Sequence, residues 1–184
     1  EVTDQAVKAL KAIAIEFDHS FTFTYAPVGA VAIDETGDPL PKQTLDLCKT
    51  TDAILFGAIG DPKYDNNPSA TIRPEQGLLK LRKSLQLFAN IRPVKAYSQL
   101  LEKSPLKEHI IKGTDISIYR ELTGGIYFGE KYLSDDKNTA SDLCEYSRLE
   151  IERISHLAFK AAQSRRRKLT LVDKANALES SRLW

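Results

Sequence analysis

Methionine is absent from this chain, and cysteine is nearly so, with Cys48 and Cys144 alone. Two thiols this far apart suggest neither a disulfide framework nor a zinc site, so both are expected to be reduced, as in a cytoplasmic protein. His19, His109 and His156 stand singly and match no metal-ligand spacing, so surface positions are expected for them. Acidic and basic residues balance to a net charge of +1, which leaves no general attraction to nucleic acid or membrane. The longest apolar run, Ala53 to Ile59, is far too short to cross a bilayer, and no signal peptide is visible. Neither a G-x-G-x-x-G fingerprint nor a Walker loop occurs, and there is no internal repeat. The basic run Arg165-Arg166-Arg167-Lys168 ends a helical pattern with a stripe at Ile151, Ile154, Leu157, Ala158 and Ala161. It reads as a solvated helix end, where cations are favoured, rather than a nucleic-acid patch.

What is present is ordinary for a globular α/β protein: 184 residues, 42% hydrophobic and 28% charged. Val2, Ala6, Leu10, Ile13 and Phe17 trace a first helix. Phe21, Phe23 and Tyr25 alternate with threonines as a strand would. Pro41 opens a helix through Lys49. The continuous apolar run from Asp52 to Gly60 predicts a strand buried on both faces of a parallel sheet, and Asp61 to Ser69 a loop. A helix from Glu75 to Phe88 and a strand from Asn90 to Tyr97 follow. A change of domain is expected near Ser98, giving domains 1–97 and 98–184. The second holds a short helical stretch, a strand at Asp115, a polar aperiodic region at 131–146 and the basic-ended helix.

Three clusters carry candidate chemistry. The first is Tyr119 through Glu130, where a strand delivers Arg120, breaks at Gly124-Gly125 and is followed by Tyr127. Arginine offers a fork of donors for a carboxylate or phosphate, paired glycines allow close backbone approach, and tyrosine can pass a proton. The same residues also read as a strand, a turn and a core aromatic. The second lies on the Glu75 helix. Leu81, Leu85 and Phe88 make a core stripe, whereas Glu75, Leu78, Leu79 and Arg82 make another face, charged at its ends and greasy between. That face suits a molecule with an anionic head and a branched alkyl group; a helix packed on both sides is the plainer reading. Arg92 follows at the start of the next strand. The third is the short apolar strand Leu169 to Val172, ending in Asp173-Lys174-Ala175-Asn176 before a helix. Ligands gather at such strand ends in open α/β sheets, although a capping Asp173 with a solvated Lys174 satisfies the same spacing.

Taken together, the strings Arg73 to Lys83, Phe88 to Pro93, Arg120 to Glu130 and Val172 to Asn176 resemble the β-decarboxylating dehydrogenases, and in particular their isopropylmalate branch. The resemblance extends over essentially the whole chain, including Asp52 to Lys63. Leu78 and Leu79 stand where isocitrate-type members tend to place small polar residues. The resemblance implies a two-domain, parallel or mixed-sheet α/β fold that is not a Rossmann fold. It also implies a cytoplasmic homodimer with a shared active site, in which 131–146 forms an arm pairing with the second subunit. Because the apolar stripe begins at Val2 and a helical pattern is still running at Trp184, the chain is expected to be an internal segment, incomplete at both ends.

The implied reaction oxidises a 2-hydroxy dicarboxylate with NAD and then decarboxylates it, in leucine biosynthesis. By resemblance, Arg82, Arg92 and Arg120 hold substrate carboxylates, and Leu78 and Leu79 accept the isopropyl group. Lys174, from the partner subunit, is the base for the hydroxyl proton, and Tyr127 is the acid that protonates the enol. Glu75 and Asn176 lie near the nicotinamide ribose and ring. Mg²⁺ or Mn²⁺ is implied, with its aspartate ligands outside this segment, so the segment alone is expected to be inactive. A sister activity on isocitrate, homoisocitrate or another 3-substituted malate, and a non-catalytic chain of the same fold, are the alternatives.

Overall fold

The computed structural model describes residues 2–67 and 70–184. They form two compact units, Glu1–Leu85 and Gln86–Trp184. The expected change near Ser98 thus differs from this division: the strand Ala89–Lys95 lies with the second unit, because its ladder partner is there.

In the first unit, α1 (Val2–Glu16) buries Val7, with Ala6, Leu10 and Ala14 half-covered beside it. Ile13 and Phe17, expected on the same stripe, are exposed. Helices α2 (Ala30–Thr36) and α3 (Lys42–Cys48) flank a turn whose Leu40 is completely buried. Gly29, just ahead of α2, ties the chain to that turn. Its φ of +71° is left-handed, its N–H donates to the Pro39 carbonyl at 2.8 Å, and a β-carbon there would lie 2.6 Å from the Ile59 carbonyl oxygen. A single helical turn, α4 (Pro62–Asp65), interrupts the expected loop, capped by Asp61, whose carboxylate accepts from the Lys63 N–H at 2.9 Å. The last two residues of that loop, 68 and 69, lie outside the described residues.

Helix α5 (Pro74–Ser84) starts because Pro74 suits a first turn, and Gln76 turns back to accept from the Arg73 N–H at 3.2 Å. It buries Pro74, Gly77 and Leu81. It stops short of the predicted Phe88 because Gln86 adopts a left-handed φ of +54°, which ends the helical path and the unit together.

In the second unit, β1 (Ala89–Lys95) pairs antiparallel with β2 (Asp115–Glu121), in a register that sets Asn90 opposite Arg120 and Arg92 opposite Ile118. A 3-10 turn (Ser98–Lys103) and α6 (Glu108–Ile111) connect them. A small hairpin of β3 (Lys131–Leu133) and β4 (Ala140–Asp142) occupies the region expected to be an arm. Helix α7 (Arg148–Gln163) packs on β2 through Ile151, Ile154 and Ala158. It begins at a reciprocal cap in which Glu150 accepts from the Ser147 N–H at 2.6 Å. The basic run past its end is not purely solvated, since Arg165 pairs with Asp115 at 2.7 Å and Arg166 donates to the Asp115 carbonyl. Helix α8 (Glu179–Arg182) is one turn, far less than the helix expected from Ala175.

Three expected strands are not formed. Phe21 to Tyr25, Asp52 to Gly60 and Leu169 to Val172 have no ladder partner among the described residues and are largely exposed. Strand sequence expresses itself only against a neighbouring strand, and an unpaired one leaves its N–H and C=O groups to water. The chain is α/β, and the ladders among its described residues are both antiparallel. Both cysteines are free, and no described helix is long and apolar enough to cross a membrane.

Candidate functional site

The predicted residues divide between the two units. On the first, α5 presents Glu75, Leu78, Leu79 and Arg82 away from its buried Pro74–Gly77–Leu81 face. Leu78, Leu79 and Arg82 are half-buried and Glu75 is exposed. Close packing sets the position of this helix. A β-carbon on Gly77 would lie 2.4 Å from the Pro39 carbonyl oxygen, so only glycine lets α5 approach that turn. Lys80 adds a donor to the Leu40 carbonyl at 3.2 Å. The Glu75 carboxylate stands over Gly60, where an added β-carbon would be 3.2 Å from Oε1. Ahead of α5, Asp34 accepts from Lys63 at 2.5 Å and from the Tyr64 hydroxyl at 2.7 Å. The Lys63 hydrogen bond is the main reason its carboxyl is held below the usual range.

On the second unit the ribbon gathers three predicted residues. Opposed residues of an antiparallel pair share a face, so Asn90, Arg92 and Val94 lie with Arg120, Ile118 and Ile116 on the side away from Glu121. Arg92 is braced by donation from Nε to Asn90 Oδ1 at 2.6 Å. The Arg120 guanidinium lies 5.2 Å from the centre of the Tyr127 ring. Both arginines are exposed, and neither has a carboxylate partner among the described residues. Two cations on one ribbon face, with a half-exposed phenol from the turn beside one of them, can receive a dianion and hand it a proton.

The turn after β2 positions Tyr127. Glu121, whose side chain is 1% exposed, accepts from the Thr123 N–H at 2.7 Å, the Gly124 N–H at 2.8 Å and the Thr123 hydroxyl at 2.9 Å. Arg153 of α7 pairs with the same carboxylate and donates to the Thr123 hydroxyl oxygen, while its guanidinium lies 4.7 Å from the Phe88 ring centre. Gly125 has a φ of +76°, and its N–H donates to the Glu145 carbonyl at 2.7 Å. Sequence alone places Glu121 beside Arg120 at the strand end without giving it a role, and does not single out Arg153. The signals available were an acid at a strand end before Thr-Gly, and an arginine between Ile151 and Ile154 in an apolar stripe.

Lys174 and Asn176 lie apart. Asp173 Oδ1 accepts from the Ala175 N–H at 2.9 Å and Lys174 is exposed, which is the capped-turn arrangement that the spacing also allowed. No contact among the described residues joins either to Arg92, Arg120 or Tyr127. A cleft of about 900 Å³ opens between β2 and α7, with Leu169 to Asp173 on another wall. Arg120 lines it, but Tyr127, Arg92 and Lys174 do not, so it does not enclose the predicted chemistry. Among the described residues no group of three His, Cys, Asp or Glu could hold a metal ion.

The family profile described as isocitrate/isopropylmalate dehydrogenase matches residues 1–184. The 3-isopropylmalate dehydrogenase of Bacteroides fragilis strain YCH46 is 53% identical over 184 residues, covering 100% of this chain and 52% of that protein. The 3-isopropylmalate dehydrogenase of Priestia megaterium is 54% identical over 187 residues, covering 100% of this chain and 50% of that protein. Among solved structures, isocitrate dehydrogenase from Methylococcus capsulatus superposes with a TM-score of 0.74 at 27% identity, over 99% of this chain and 50% of that one. The apo form of a β-decarboxylating dehydrogenase from Thermococcus kodakarensis gives a TM-score of 0.63 at 30% identity, over 98% and 47%. The chain spans about half the length of the curated relatives it matches.

Proposed function

The chain belongs to the isocitrate/isopropylmalate dehydrogenase family, and on that premise we propose that the whole protein is an NAD-dependent 3-isopropylmalate dehydrogenase of leucine biosynthesis. The observation that carries this reading is the ribbon face that Arg92 shares with Arg120, whose guanidinium stands beside Tyr127. The half-buried Leu78 and Leu79 of α5 supply the apolar contact that an isopropyl group requires. The names of the relatives at 53% and 54% identity point to the same substrate.

Arg92 and Arg120 grip the two carboxylates of the substrate through charge-assisted hydrogen bonds, with Arg82 as a third donor. Lys174 of a second copy takes the proton of the 2-hydroxyl. The chemistry that bound NAD⁺ supplies is acceptance of the hydride from the same carbon. After the carboxylate at C3 leaves as CO₂, the Tyr127 hydroxyl delivers a proton to C3 of the enolate. Glu75, exposed above Gly60, and the exposed Asn176 suit the hydroxyls and carboxamide of a nicotinamide ribonucleoside. Mg²⁺ or Mn²⁺ belongs to the expected reaction, and the described residues offer it no cluster. A cytoplasmic homodimer is part of the reading, motivated by the free thiols and by the exposed β3–β4 hairpin as a pairing arm. Residues 1–184 alone are expected not to turn over, on the grounds that they span about half of each relative.

The test is NADH formation from 3-isopropylmalate with Mg²⁺, run beside isocitrate and homoisocitrate, on protein whose intact mass is measured. Turnover preferring 3-isopropylmalate in a species well above 20.6 kDa is the expected result. Preference for isocitrate would move the assignment to a sister enzyme. Activity from the 20.6 kDa species itself would overturn the account of the segment.

A further inference from the structure

We propose that Arg153 is a positioning residue for the proton-donating step, acting through Glu121 to set the turn that carries Tyr127. The inference rests on the reading of Tyr127 as the proton donor. Its own foundation is the cluster behind the ribbon. Glu121 is the most buried carboxylate of the second unit, and it spends its acceptors on the two N–H groups and one hydroxyl of Thr123-Gly124. A charge so covered is tolerated only with a cation against it, and Arg153 is that cation. The same guanidinium bonds Thr123 and covers the ring of Phe88. Phe88 in turn accepts from the Leu122 N–H at 2.8 Å just ahead of β1. One side chain therefore joins the entrance of the strand bearing Arg92, the exit of the strand bearing Arg120 and the start of the turn leading to Tyr127.

The arrangement is not the one stability alone would select. The Arg153 Nε–H is buried without a partner among the described residues, a cost that apolar residues in place of both Arg153 and Glu121 would avoid. The ladder between β1 and β2 already holds Arg92 and Arg120 in register. Tyr127 has no ladder, and its place depends on the turn. Losing the Arg153 guanidinium should therefore displace the phenol and leave the carboxylate grip intact.

The experiment is a double-mutant cycle in the intact enzyme with Arg153→Lys, Tyr127→Phe and the pair. Lysine keeps the charge but lacks the planar guanidinium that holds Nη2 on Glu121 and Thr123 while its face covers the Phe88 ring. Arg153→Lys is expected to lower kcat by roughly tenfold or more, leaving KM for the 2-hydroxy acid within about threefold, and to cost less than about twofold when added to Tyr127→Phe. Such non-additivity is the mark of residues acting as a unit, and a merely structural arginine would lower Tm without it. If Arg153→Lys loses its near-ultraviolet dichroism, the near-isosteric Glu121→Gln replaces it in the same cycle. Independent, multiplying losses, or an unchanged kcat in a folded variant, would overturn the inference while leaving an impaired Tyr127→Phe as support for the proposed function. Full turnover by Tyr127→Phe would remove both.

Discussion

The two units present their candidate residues in different ways. The first offers a helix face, with Leu78 and Leu79 half-covered and charges at either end. The second offers a ribbon whose ladder holds Arg92 and Arg120, and a turn carrying Tyr127 that is tied by a buried carboxylate and by closely packed glycines. Hydrocarbon contact is non-directional, so a helix packed close through Gly77 is sufficient to present it. Proton transfer needs a hydroxyl within hydrogen-bond reach of one carbon, so the segment around Tyr127 is tied at several points. Discrimination should therefore reside in the first unit and catalytic rate in the second.

The sharpest way to break that contrast is Tyr127→Phe, which should lower kcat by about 10²–10⁴-fold with little change in KM. Steady-state kinetics of the intact enzyme decide it, and unimpaired turnover would remove the acid from the second unit. Next comes Gly129→Ala. A β-carbon there would lie 1.9 Å from the Leu143 carbonyl oxygen, so the turn must shift. A displacement near 1 Å should cost kcat on the order of 10²-fold while the preference for isopropylmalate over malate is kept. Loss of that preference with kcat intact would reverse the division of labour. Leu78→Ser should do the opposite, lowering that preference by about 10-fold with kcat for the smaller substrate preserved, as competition between the two substrates would show.

The smallest effect concerns the contact ahead of α5. The Asp34 carboxyl titrates below its usual 3.8, chiefly through its hydrogen bond from Lys63. Its stabilisation is thus complete above that value and lost as pH falls through the depressed one. The Tyr64 phenol is raised above 10.0, chiefly by its hydrogen bond to Asp34, so its contribution is complete below 10.0 and lost as pH rises further. Asp34→Asn should lower Tm slightly at neutral pH and flatten its dependence at both extremes. A Tm-against-pH curve superposing on that of the unaltered protein would show the contact to be idle.

Much of the helical structure was legible in the sequence. The stripe from Ile151 to Ala161 became α7, and Glu75, Leu78, Leu79 and Arg82 did form a face distinct from the core of α5. The misses include three strands. Asp115 to Glu121 and Asp52 to Gly60 both carry strand-like sequence, yet only the first has a ladder partner and a helix packed on it. Its partner is not adjacent in sequence, so no local pattern announces the pairing.

By itself the sequence determined the longer helices, the family and the chemical types at the candidate site, because side-chain periodicity and identity are local properties. Tertiary structure decided which apolar runs became strands and placed Arg120 against Tyr127. It also turned Arg165 and Arg166 onto Asp115 and buried Glu121 against Arg153. Those outcomes depend on contacts between residues distant in the chain, whose energies arise only when desolvated groups meet.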